Sequence, residues 1–172
     1  MEIYVKGVKF KLDFSFVLVI AFALLYGYKS GLLIILYSVL HELGHLTALL
    51  AFGVEIREIK LSFFGFGIKF DGLLSLPKEA LMLLFGPMVN LVLFLLFRDS
   101  INLMLFVLNM LPIFPLDGGR LLLLFFTKTG RYISLTFLLL LTAVSTVLCF
   151  KYGSFPLLLI SVYLFLFNMR LL

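Results

Sequence analysis

Several apolar stretches in this sequence approach the length that a helix needs to cross a lipid bilayer. About 20 apolar residues span the hydrocarbon core. Hydrophobic residues make up 63% of the 172 residues and charged residues only 13%, whereas a soluble chain of this size needs far more charge to cover its surface. The sequence therefore predicts an integral membrane protein. No small-residue cleavage site follows the first apolar stretch, so a removable signal peptide is not expected.

The predicted fold class is an all-α polytopic membrane protein with about six transmembrane helices, formed by residues 1–172 as a single membrane-embedded domain. No internal repeat, low-complexity tract or long linker divides the chain. The predicted segments are Phe14–Tyr28, Leu32–Phe52, Ala80–Phe97, Ile101 to about Asp117, Tyr132–Phe150 and Phe155–Met169.

Lysine and arginine residues are divided unequally between the connections. Basic residues gather on the cytoplasmic side of short loops. We therefore predict a multi-pass protein of the cell membrane with both termini in the cytoplasm. The eleven basic residues on the predicted cytoplasmic side are Lys6, Lys9, Lys11, Arg57, Lys60, Lys69, Lys78, Arg120, Lys128, Arg131 and Arg170. The three on the other side are Lys29, Arg98 and Lys151.

The connection between the second and third segments has a different periodicity. Apolar and polar residues alternate through Val54–Phe70, which predicts a β-hairpin that turns near Phe64–Gly65. The N-terminal residues Ile3–Leu12 alternate similarly and can add a strand. An open sheet edge cannot lie in lipid, so we expect this small sheet at the cytoplasmic interface.

Composition also excludes some classes of partner and bond. The net charge is +5, but no segment combines a basic face with aromatic residues, so no nucleic-acid partner is expected. The single cysteine, Cys149, rules out a disulfide framework and is predicted to pack as a small apolar residue.

Both histidines of the protein lie in the second segment, in the string HELGH at residues 41–45. In a helix, His41 and His45 point within ~40° of each other one turn apart, so both can bind one metal ion. Glu42 projects ~60° to one side of His45, where it can reach a water on that metal. Gly44 lies on the other flank and lets another segment approach closely. The alternative is two histidines bonded to neighbouring helices, but burying ionisable groups in a span costs ~2–3 kcal/mol or more and favours function.

A catalytic zinc usually has three protein ligands, and Asp117 is the other acidic residue inside a predicted span. It lies in NMLPIFPLDGGR at residues 109–120. Pro112 and Pro115 are expected to break the helix, and the glycine pair after the aspartate to allow a tight turn. The second and fourth segments both run toward the cytoplasm, so they can converge at similar depth. The alternative is an interfacial carboxylate paired with Arg120.

HELGH followed by NMLPIFPLDGGR resembles the site-2 protease family of intramembrane zinc metalloproteases. GPMVN at residues 86–90 is similar to a third, weaker signature of that family, and the resemblance covers about residues 32–120. It implies that His41, His45 and Asp117 bind one Zn²⁺ ion per chain and that Glu42 is the catalytic base. It also implies that Asn109 holds the substrate.

Asn90, in the GPMVN string, is a further candidate. It can stabilise the oxyanion together with zinc, or it can form a hydrogen bond between two membrane helices. In the resembling family, a β-hairpin after the motif helix presents an edge strand to extended substrate, which matches Val54–Phe70.

The implied function is hydrolysis of peptide bonds in or near transmembrane segments of membrane-anchored protein substrates, within the lipid bilayer and with the active site opening toward the cytoplasm. The compact layout resembles the branch that contains a sporulation protease acting on a membrane-bound pro-sigma factor. No PDZ domain separates the motifs. Members of that branch often end in a CBS domain, and none follows the last segment here, which means either a natural minimal form or a truncated chain and leaves nucleotide regulation open. Regulatory membrane partners are left open.

Two other functions remain open. An intramembrane metal transporter could use the same ligands but has no need for Glu42 beside them. A catalytically inactive membrane scaffold of the same fold would be expected to have lost at least one motif residue, and this chain retains all of them.

Overall fold

The structure is a computed structural model that describes residues 2–5, 7–13, 29–62, 65–153 and 155–169. The predicted first span, Phe14–Tyr28, lies outside the described residues. The chain forms two compact units, Met1–Phe106 and Val107–Leu172, and a single domain stays a prediction. The described elements are β1 (Glu2–Val5), β2 (Val8–Leu12), α1 (Lys29–Ala51), β3 (Ile56–Ser62), β4 (Gly65–Phe70), α2 (Leu76–Phe97), α3 (Ser100–Met110), α4 (Asp117–Phe125), α5 (Thr127–Tyr152) and α6 (Phe155–Met169).

Three of the described helices are long and apolar enough to cross a membrane. They are Ser30–Ala51, Leu76–Phe97 and Thr127–Tyr152, and Ser100–Met110 and Leu157–Asn168 are shorter apolar helices. Many large apolar side chains on these helices point outward, since Leu96 is 69% and Val147 63% exposed. Such surface suits lipid rather than water. The mainly helical membrane architecture is confirmed, while the number of six spans stays a prediction.

The four strands form one sheet in the order β1-β2-β3-β4. The predicted hairpin is confirmed, because β3 and β4 pair antiparallel with Ile59 opposite Ile68; residues 63 and 64 at its turn lie outside the described residues. The N-terminal residues add two antiparallel strands rather than one, and β2 pairs parallel with β3. Consequently β1 and β4 are the two edges of the sheet. Its position at the cytoplasmic interface stays a prediction.

In the first unit, α1 packs closely against α2 at Gly44. A Cβ atom at this position would lie 2.8 Å from the carbonyl oxygen of Phe85 and 3.1 Å from Cα of Gly86. Real Cβ contacts are longer than this, so glycine allows the two helix backbones to approach. The expectation that Gly44 lets another segment come close is therefore confirmed, and that segment is α2.

The chain is not helical throughout the predicted fourth span, Ile101 to about Asp117, but contains a break. Helix α3 ends at Met110 and the chain is non-helical through residues 111–116, so Asp117 opens helix α4 instead of ending α3. The prediction of a tight turn at the following glycines was wrong. Gly118 and Gly119 lie in the first turn of α4, where a Cβ would overlap the backbone of Met110 and Ile113. Here glycine serves close backbone packing instead of turn geometry.

Side chains from α5 and α6 form hydrogen bonds with the backbone of the non-helical segment 111–116. The backbone N–H of Phe114 donates to Ser134 Oγ at 2.8 Å, and Asn168 Nδ2 donates to the Phe114 carbonyl at 2.6 Å. Ile113 is fully buried and packs with Leu138 and Leu164. Irregular backbone is tolerated at membrane depth only where such partners satisfy it, so these contacts fix the chain just before Asp117.

Candidate metal centre

The two histidines of α1 are buried and face one another. His41 is 4% and His45 6% exposed, and their Nε2 atoms lie 3.2 Å apart. The rings are nearly perpendicular, at 84°. Two nitrogen ligands 2.0–2.1 Å from a tetrahedral zinc ion lie about 3.3 Å from each other. The separation of the two Nε2 atoms therefore fits two ligands of one metal ion.

Helix α2 holds the opposite nitrogen of each ring. Nδ1–H of His45 donates to the backbone carbonyl of Met82 at 2.7 Å, and Asn90 places its Nδ2 atom 3.1 Å from Nδ1 of His41. Histidines that bind a metal almost always donate the second N–H to an acceptor such as the Met82 carbonyl, and both contacts restrict the orientation of their rings. Both imidazoles are thus held with Nε2 directed toward the same space.

Gly86 leaves that space open. A Cβ atom on Gly86 would stand 2.8 Å from Nε2 of His41 and 2.5 Å from Cε1 of His45. Since Met82, Gly86 and Asn90 follow one another at intervals of four, they share one face of α2. Sequence reasoning recognised GPMVN as a signature but missed the roles of Met82 and Gly86. The interval of four residues between Gly86 and Asn90, which places both on one face of a helix, was the signal for these roles available in the sequence.

The sequence-predicted site residues are distributed over both units. The first unit brings His41, His45 and Asn90 together, and Asn90 bonds two helices there. Glu42 follows the first histidine in α1 and is half-buried. The second unit contains the other two predicted residues. Asn109 lies in the last turn of α3 and is half-buried, and Asp117 is the first residue of α4 and 7% exposed.

Three comparisons relate the chain to known proteins. Residues 69–151 match the model of peptidase family M50. Over 131 residues the chain is 31% identical to stage IV sporulation protein FB of Bacillus subtilis, covering 64% of this chain and 45% of that protein. The site-2 protease from Methanocaldococcus jannaschii has a similar fold, with a TM-score of 0.63 and 23% identity over 99% of this chain and 94% of that one. The chain is thus similar in sequence to a peptidase family and in fold to a site-2 protease.

A further relative is named for a metal-dependent activity. The chain is 35% identical over 122 residues to sll0528 of Synechocystis, named provisionally as a zinc metalloprotease, with 56% of this chain and 31% of that protein covered. The chain spans less than half the length of these two curated relatives. Imidazole nitrogens are among the ligands that zinc takes in proteins, and two of them lie close together in α1.

Proposed function

We propose that this protein is an intramembrane zinc metalloendopeptidase that cleaves peptide bonds in or near transmembrane segments of membrane-anchored proteins. The observation that carries the proposal is the buried histidine pair, whose Nε2 atoms are separated by 3.2 Å. Two imidazoles buried in an apolar helix and oriented from behind by α2 are expected for metal binding. The match of residues 69–151 to peptidase family M50 supports a hydrolytic role for that metal.

The proposed zinc ligands are His41, His45 and Asp117, with one ion per chain. Asp117 contributes a carboxylate that is 7% exposed, and buried carboxylates are stabilised by pairing or by metal coordination. It also lies within residues 69–151, which match the peptidase family. When bound, zinc lowers the pKa of a coordinated water and polarises the scissile carbonyl.

Glu42 is the proposed general base. It is adjacent to the first histidine and half-buried. Its carboxylate takes a proton from the attacking water and returns it to the amine that leaves, as expected for a glutamate beside a metal site. Asn109 is proposed to hold the substrate. A direct role of Asn90 at the oxyanion stays a prediction, since its amide lies against His41.

Strand β4 is the proposed docking edge for the substrate. A helical substrate hides its peptide carbonyls in hydrogen bonds, so it must be locally extended before hydrolysis. The position of β4 at one edge of the four described strands supports this step, because an extended chain can add to a sheet edge and regain backbone hydrogen bonds. We further propose six spans, cytoplasmic termini and a site that opens toward the cytoplasm, in line with the distribution of Lys and Arg.

The proposal is tested with the purified full chain in liposomes and a reporter that carries a transmembrane segment. We expect about one zinc ion per chain by elemental analysis, cleavage that stops when a chelator removes zinc, and recovery when zinc is returned. Zinc movement across the liposome membrane without cleavage would favour the transporter. Cleavage that continues in protein free of zinc would overturn the proposed metal chemistry.

A further inference from the structure

The backbone of Phe114 is bonded by side chains from two different helices. Its N–H donates to Ser134 Oγ of α5 at 2.8 Å, and its carbonyl accepts from Asn168 Nδ2 of α6 at 2.6 Å. Phe114 belongs to the non-helical residues 111–116, so a helical ladder does not pair these two groups. A turn within the segment could satisfy such groups equally well. The use of two side chains from other helices therefore needs a further reason.

Both side chains are well placed to hold Phe114 still. Ser134 is 2% exposed, so its hydroxyl is confined to the interior of the second unit. The amide nitrogen of Asn168 has two hydrogens, and it also donates to the carbonyl of Leu164 in α6 at 2.8 Å, which fixes the amide against its own helix. The ring of Phe167, next to it in α6, lies 6.0 Å from the Phe114 ring. Phe114 is therefore anchored at its donor, its acceptor and its side chain.

A short series of backbone contacts extends this anchoring to Asp117. Asp117 follows Phe114 by three residues, and between them the N–H of Leu116 donates to the Ile113 carbonyl at 2.9 Å. In the first turn of α4, a Cβ atom on Gly119 would overlap the backbone of Ile113 and Phe114. The start of α4 thus packs directly on the anchored residues. Displacement of Phe114 must therefore also displace Asp117, which is 7% exposed.

We propose that Ser134 and Asn168 are positioning residues that set the place of the Asp117 carboxylate through Phe114. The inference rests on the proposed function, in which Asp117 is a zinc ligand. The ligands of a functional metal site must be held within about 0.5 Å of the productive geometry. Groups that orient a ligand change metal affinity by roughly 10–100-fold when they are removed.

The same two helices contain a matched pair of residues for comparison. Ser145 of α5 and Ser161 of α6 are fully buried, and their hydroxyl oxygens lie 2.8 Å apart. This bond also joins α5 to α6, but it lies about 16 Å along α5 from Ser134 at 1.5 Å per residue. It does not involve residues 111–116. Its loss therefore removes a buried contact between the helices without releasing the segment before Asp117.

Chelator competition on the full-length protein in detergent measures the effect on zinc affinity. Ser134→Ala and Asn168→Leu should each bind zinc roughly 10–100-fold more weakly, whereas the controls Ser145→Ala and Ser161→Ala should bind it normally. Ser134→Ala and Ser145→Ala each remove one buried hydroxyl, so their thermal unfolding temperatures should fall by similar amounts. A zinc defect caused by loss of stability would appear in both variants, but the positioning role predicts it in Ser134→Ala only.

Combination with Asp117→Ala shows whether the two side chains act through this carboxylate. Substitutions that act on one shared interaction are not additive. In the Asp117→Ala background, Ser134→Ala and Asn168→Leu should change zinc affinity by less than about twofold, as read by direct zinc titration. A loss of the same size with and without Asp117 would show general damage to the fold and would overturn the proposal.

The remaining outcomes separate this inference from the proposed function. Unsubstituted protein that binds no zinc overturns both. Zinc binding by the unsubstituted protein that is unchanged in Ser134→Ala and Asn168→Leu overturns only the positioning role. Unchanged zinc affinity in Asp117→Ala overturns the inference together with that ligand, while the histidine pair remains the proposed metal site.

Discussion

Gly86 of α2 lies directly against the ring of His45 in α1, so that a side-chain carbon at Gly86 would stand 2.5 Å from Cε1 of the imidazole. The same carbon would also crowd Nε2 of His41, at 2.8 Å. Gly86 therefore lines the space toward which the Nε2 atoms of both histidines are directed. Its missing side chain leaves room there for the proposed metal ion.

Gly86→Ala should weaken zinc binding and lower the stability of the protein. The added methyl group must displace either the histidine rings or α2, and overpacking of this kind costs typically 1–3 kcal/mol. The measurements are zinc affinity and thermal unfolding in detergent. Gly67→Ala in β4 is the control, because its Cβ would meet only Lys60 Cβ at 3.8 Å. Normal zinc affinity in Gly86→Ala would show that this space is not the metal site.

Glu42→Gln should abolish cleavage while zinc content persists. The substitution keeps the size of the side chain but removes the base, and general base catalysis contributes typically 10²–10⁴-fold to the rate. Reporter cleavage and elemental analysis on the same preparation give both values. Glu79→Gln, in the first turn of α2, controls for loss of a carboxylate and should cleave normally. Near-normal turnover in Glu42→Gln would remove Glu42 as the base and reopen the transporter hypothesis.

Asp117→Ala should reduce zinc affinity more severely than the loss of a group that only orients a ligand. Removing a ligand leaves two protein ligands where catalytic zinc sites usually have three, whereas groups that only orient a ligand are worth roughly 10–100-fold. Chelator competition provides the measurement. Asp99→Ala removes a carboxylate that accepts from Tyr37 at 2.9 Å and should leave zinc binding unchanged. Undiminished zinc affinity in Asp117→Ala would exclude it as a ligand.

The predicted orientation can be tested with single cysteines in a Cys149→Ser background. Lys60→Cys and Lys128→Cys should react with membrane-impermeant reagents only from the cytoplasmic side, and Lys151→Cys only from outside, because basic residues concentrate in cytoplasmic loops. Labelling of intact cells and of inverted vesicles provides the comparison. Reaction of Lys128→Cys in intact cells would reverse the orientation and misplace the opening of the active site.

The rate of cleavage should depend on how easily the substrate helix unfolds locally and on the backbone hydrogen-bonding groups at the edge of β4. Glycine near the scissile bond should speed cleavage, since it costs about 1 kcal/mol relative to alanine in a helix. Ile68→Pro should slow cleavage without loss of zinc by removing a backbone donor from β4. Tyr4→Pro, on the opposite edge strand β1, is the control. Rates that ignore substrate helicity, together with normal cleavage by Ile68→Pro, would contradict strand addition.

The histidine pair illustrates what could be predicted from sequence. The interval of four residues in HELGH places His41 and His45 on one face of a helix by helical geometry alone. Their 3.2 Å separation of Nε2 atoms agrees with that prediction. The hairpin was predicted equally well, because the alternation of side chains and the nearness of its two strands are both local properties of the chain.

The partners of these local elements could not be predicted in the same way. The sequence did not indicate that β2 pairs parallel with β3, since such pairing joins segments far apart along the chain. It also did not distinguish a turn from close packing at Gly118, because glycine is compatible with both. Only the position of the Met110 carbonyl against α4 settles that choice.

The sequence by itself indicated the long apolar helices and the residues predicted to carry the metal chemistry, because hydrophobicity and helical periodicity act within one segment. Tertiary structure decided which contacts orient those residues. Met82 and Asn90 contact Nδ1 of His45 and of His41, and Gly86 has no side chain to fill the space beside the two Nε2 atoms. These contacts depend on the close approach of α1 and α2 at Gly44, which is a property of packing between helices and not of either helix alone.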